Sequence, residues 1–109
     1  MNAIDLESVS REMIESALNG EKLPVLYDEI TIRRVIRFNL EKKYPKKTFL
    51  MRSCDNKQIL ATNANIEDHI LNRRAPGLNV GVKNNGFIVL EARNIIDLFT
   101  CLVLLDNKI

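Results

Sequence analysis

The chain is poor in the residues that carry most chemistry. It has two cysteines, one histidine, four glycines, three prolines and no tryptophan. Cys54 and Cys101 stand far apart without framework spacing, which excludes a disulfide-stapled secreted scaffold and points to a cytoplasmic home. Each reads as a small buried hydrophobe. A bridge between them requires Cα atoms within about 7 Å and is not expected. None of the 12 asparagines begins an Asn-x-Ser/Thr sequon, which weighs against a secreted glycoprotein. The longest apolar stretch, around Leu102–Leu105, falls far short of the roughly 20 residues of a membrane span. Asp5, Glu7 and Glu12 interrupt what would have to be the apolar core of a signal peptide, so no membrane partner is expected.

Cofactor motifs are equally scarce. Gly77, Gly81 and Gly86 stand four and five residues apart and match neither the dinucleotide fingerprint nor the phosphate loop. His69 and the two cysteines lack the close paired spacing of a zinc site, and no carboxylate run has the spacing of a calcium loop. No nucleophile elbow is visible. The expectation is a non-enzymatic protein with no metal and no cofactor.

What remains is ordinary globular material. The 109 residues are 46% hydrophobic and 28% charged, with a net charge of +2, and fit a single domain spanning 1–109. The charge is unevenly spread. Residues 1–29 carry two bases and seven acids, residues 30–52 carry eight bases against Glu41 alone, and the remainder carries six of each. Half of the basic residues thus lie in one short stretch, the most informative feature of the chain.

Hydrophobic periodicity predicts the elements. Leu6, Val9, Met13 and Ala17, with Ile14 and Leu18, recur at helical spacing and predict a helix over 3–18, capped by Asn2 and stopped by Asn19-Gly20. Residues 21–27, with Pro24, read as a connector or short edge strand. Ile32, Val35, Ile36 and Leu40 predict a second helix from about Asp28 to Lys43, although Ile30-Thr31-Ile32 leaves a strand start open. Arg33, Arg34, Arg37 and Glu41 are expected to project away from that stripe, and Tyr44-Pro45 ends the helix. Thr48–Cys54 and Gln58–Thr62, joined by Asp55-Asn56-Lys57, predict a hairpin. A short helix over 66–74 follows, capped by Asn65 and stopped by Ala75-Pro76-Gly77. A second hairpin sets the alternating Leu78, Val80 and Val82 against Phe87–Leu90 across Asn84-Asn85-Gly86. Within it, Gly81 reads as a bulge or a close packing contact. Asn94 caps a last helix, 95–105, apolar nearly all round, whose surplus surface must pack on the first two helices or on a second copy in a homodimer. The order α-α-β-β-α-β-β-α predicts an α+β fold: a small antiparallel sheet of two hairpins packed with three to four helices.

Two candidate sites follow. Arg33, Arg34 and Arg37, with Lys42, Lys43, Lys46 and Lys47, beside Phe38 and Tyr44, could meet an acidic protein surface or neutralise several phosphates of RNA or DNA. The plainer reading is a solvated face balanced by the acidic first helix. His69 and Arg73 are i,i+4 neighbours that a metal-independent ribonuclease could use as general base and phosphorane stabiliser. That reading lacks a second acid–base group, and a surface histidine is the plainer account. The leading expectation is a cytosolic binding or inhibitor protein that docks on a nucleic-acid-handling machine through its basic residues. The short Asn- and Ile-rich chain has the look of a viral or mobile-element accessory protein.

Overall fold

A computed structural model of the chain describes residues 5–66, 78–81 and 85–105. Helix α1, Leu6–Leu18, starts later than the periodicity implied. Asp5 is its cap, accepting from the Ser8 N–H at 3.2 Å. It stops as expected: Gly20 takes the left-handed conformation (φ 81°), its N–H bonds to Ala17 and that of Glu21 to Ser16. Residues 21–27 are neither plain connector nor strand. Leu23–Leu26 makes one turn of helix, α2, with Pro24 in the first turn, where its missing N–H has no intrahelical acceptor to lose.

Helix α3, Glu29–Lys43, settles the ambiguity around Ile30 in favour of helix. Asp28 caps it, accepting from the Thr31 N–H at 2.7 Å. Bonds from the Thr31 side chain and backbone hold the Asp28 carboxyl below its ordinary value of 3.8. This cap is therefore at full strength above that value and is lost as pH falls through the depressed one. Helices α1 and α3 run antiparallel: Asn39 Nδ2 donates to Ser10 Oγ at 2.8 Å, and Lys42 meets Glu7 at 3.8 Å.

The sheet is antiparallel throughout, four strands in the order β1-β2-β4-β3: β1 Phe49–Cys54, β2 Lys57–Thr62, β3 Leu78–Val80 and β4 Ile88–Ala92. The first hairpin is tighter than expected. Cys54 pairs directly with Lys57, and only Asp55 and Asn56, both at positive φ, make the turn. In the second, Asn85 and Gly86 have positive φ as their residue types suggest. Gly81 is a close contact, because a Cβ there would stand 3.1 Å from the Val89 carbonyl oxygen. Of the expected helix over 66–74, only its first residue, the buried Ile66, lies within the described residues; 67–74, Ala75-Pro76-Gly77, Val82 and Asn84 lie outside them.

The last helix divides in two. Helix α4, Ile95–Phe99, is capped by Asn94, which accepts from the Asp97 N–H at 2.9 Å, and Thr100–Leu104 continues as a π-turn. Leu98, Phe99, Cys101, Leu102 and Val103 are buried. Their surplus apolar surface is taken up inside the chain, against α1, α3 and the inner sheet face of Leu60, Leu90 and Ala92. This is the α+β architecture the element order implied, with the helices on one sheet face. The other face carries the exposed Leu50, Arg52 and Val89, and also Cys54, which is exposed rather than a buried hydrophobe.

Candidate binding face

The basic run of the sequence does not form one patch, because α3 and the turn after it distribute its members. Ile32, Val35, Ile36 and Leu40 face the core, fixing the opposite face for solvent. Ile30, Arg34 and Arg37 stand at i, i+4 and i+7 on that outer face, all exposed. Neither Arg34 nor Arg37 makes an ion pair among the described residues. Glu41, four residues beyond Arg37, closes the row.

Arg33 does not project freely. It sits on the flank of α3, only 25% exposed at the side chain, and reaches the start of β2. Its Nη2 donates to Glu29 Oε2 at 2.9 Å and to Gln58 Oε1 at 3.2 Å, while Gln58 Nε2 donates to Glu29 Oε1 at 3.3 Å. Gln58 is buried, so Arg33 and Glu29 together meet the hydrogen-bonding demand of an amide inside the core. Arg33 is a structural pin between helix and sheet.

This placement separates the three arginines by experiment. Arg33→Gln shortens the side chain and leaves the Gln58 amide under-satisfied, at a cost of about 1–3 kcal/mol. Arg34→Gln and Arg37→Gln, in open solvent, each stay within about 0.5 kcal/mol. Urea denaturation of the single variants measures the difference. Equal midpoints for all three would remove the pin.

The lysines occupy a second region. Lys42 lies 5.9 Å from the centre of the Phe38 ring as well as near Glu7, and Lys43 lies 5.7 Å from the Tyr44 ring. Both stand in the last turn of α3, where the helix dipole favours cations. Pro45 then turns the chain, with Lys46 in the left-handed region (φ 67°), leaving Lys46 and Lys47 exposed. Arg52 is on the outer face of the sheet. On the neighbouring helix α1, Glu7 meets Lys42, and Glu12 and Glu15 are exposed.

Sequence reading missed the apolar companion of the arginines. Val25 is 81% exposed, Ile30 64% and Leu26 49%, all where α2 meets the start of α3. Beside them a groove is lined by Ala17, Leu23, Pro24, Ile96, Phe99 and Leu104. The signal was present in Ile30, which breaks the polar face of α3, but an exposed isoleucine is indistinguishable from a buried one in sequence. His69 and Arg73 lie outside the described residues, which contain no cluster of His, Cys, Asp or Glu able to hold a metal ion. No helix among the described residues is long and apolar enough to cross a membrane. Comparison of the chain with protein-family models, curated proteins and solved structures finds no match.

Proposed function

We propose that this protein is a non-enzymatic binding module that docks on an acidic protein surface through the outer face of α3, in the manner of a cytoplasmic inhibitor of a nucleic-acid-handling machine. The observation that carries the reading is the row Ile30, Arg34 and Arg37, in which two arginines stand exposed beside an exposed aliphatic residue. Arginine beside apolar surface is the composition of a protein–protein contact. Lys42, Lys43, Lys46 and Lys47, at the far end of α3, extend the cationic field that steers an acidic partner in. Direct binding of RNA or DNA is the competing reading. It is weakened by the exposed aliphatic side chains, which lack the flat faces on which bases stack. Cys54 and Cys101 are thiols, not halves of a disulfide, which fits a reducing compartment. Among the described residues, a homodimer built on the last helix has the half-buried apolar Ile96, Leu104 and Leu105 to use.

The test is a salt titration with defined probes. A short Glu- and Leu-containing peptide is expected to shift the amide resonances of Arg34 and Arg37 at physiological ionic strength. RNA and DNA oligonucleotides are expected to bind more weakly than the peptide. An oligonucleotide that binds more tightly, with affinity falling about 10³–10⁵-fold between 50 and 200 mM salt, would reassign the face to phosphate contact.

A further inference from the structure

We infer that the partner presents an amphipathic acidic helix, its apolar residues seated on the α2 end of the molecule and its carboxylates over Arg34 and Arg37. The inference rests on the docking role proposed above and names what docks. Seven large hydrophobic residues are exposed among those described, and four of them, Leu18, Val25, Leu26 and Ile30, fall in one short stretch from the end of α1 to the start of α3. Because α1 and α3 are antiparallel, that stretch lies at one end of the helical layer. The groove there runs between the end of α1, α2 and the π-turn, and its lining is mostly aliphatic and aromatic, with Glu21, Lys22 and Thr100 the polar members. Apolar surface gathered this way is a recognition feature rather than scatter.

Charge complementarity selects the occupant. From Ile30 the exposed face of α3 passes to Arg34 and Arg37 within two turns, about 10 Å. A ligand crossing this face meets aliphatic surface first and guanidinium groups next. A helix with an apolar stripe and carboxylates beside it satisfies both at once, and helix-in-groove docking reads such anchors at helical spacing. An anionic membrane fits less well. Glu21, Asp28 and Glu29 are exposed around Val25, Leu26 and Ile30 and would be pressed against lipid phosphates.

Two peptides of equal charge test this. One carries leucines at helical spacing with glutamates on the other face; the second has every leucine replaced by serine. The amphipathic peptide is expected to bind the intact protein at least about tenfold more tightly, the worth of burying one aliphatic side chain. The V25S/I30S variant, altered only at exposed positions, should lose that advantage. L50S, on the outer sheet face, should change neither affinity. Equal binding of both peptides would overturn the amphipathic assignment and leave the docking face standing. Binding of neither would overturn the docking role itself. Tighter binding to phosphatidylserine vesicles, lost in V25S/I30S, would transfer the site to a lipid surface and overturn the inference.

Discussion

Replacement of Leu102 by aspartate abolishes the folded state. Leu102 is 4% exposed and lies in the π-turn between the fully buried Cys101 and the nearly buried Val103. This segment packs against α1 and α3, and Leu102 is almost wholly enclosed, so a carboxylate there is cut off from water. Truncating a buried leucine alone costs about 2–5 kcal/mol, and an unpaired carboxylate in the same place costs more. Against a total stability of about 5–15 kcal/mol, the sum reaches the whole margin. Circular dichroism of Leu102→Asp should show no cooperative melt, whereas Leu102→Ala should still fold with a lowered midpoint. An unchanged melting temperature in the aspartate variant would make the segment peripheral.

Charge reversal on the outer face of α3 has the largest effect on binding. In Arg34→Glu/Arg37→Glu, the positions proposed to meet an acidic partner would repel it, and juxtaposed like charges cost several kcal/mol. The expected loss of affinity for the amphipathic acidic peptide is at least about a hundredfold. Both residues are exposed and form no ion pair among the described residues, so the melting temperature should scarcely move. Calorimetric titration of the folded variant supplies both numbers. Retained affinity would place the contact elsewhere.

The class of fold was legible because its long elements have strong periods. The stripe Ile32, Val35, Ile36 and Leu40 predicted the buried face of α3 residue by residue, and the apolar run Phe87–Leu90 predicted an arm of the second hairpin. Short elements carry no such signal. Four residues, Leu23–Leu26, cannot display a period of 3.6, and Pro24 suggested a connector when it was in fact starting a helical turn. The wholly apolar run from Ile95 hides the change from α to π geometry, because every register buries something. Lys57 was read as part of the connecting loop, yet it pairs with Cys54 through backbone groups to which its side chain is irrelevant.

The proposed binding face was half legible. Charge clustering drew attention to α3, but it gave Arg33 the same role as Arg34 and Arg37. What separates them is Gln58, 25 positions along the chain, whose proximity only the folded sheet creates. Buried polar partners at that distance leave no local trace in a sequence.

The strand order carries a consequence for the rate at which the molecule assembles. Strand β2 pairs on one side with its hairpin neighbour β1 and on the other with β4, where Thr62 meets Ile88 across a long intervening segment. Each hairpin closes a short loop and can form on the microsecond scale. Joining them requires the chain between Thr62 and Ile88 to be gathered first, before Leu60 and Leu90 make contact in the core. Folding therefore waits on the central β2–β4 seam, and the two hairpins are early, separable units that the seam later unites.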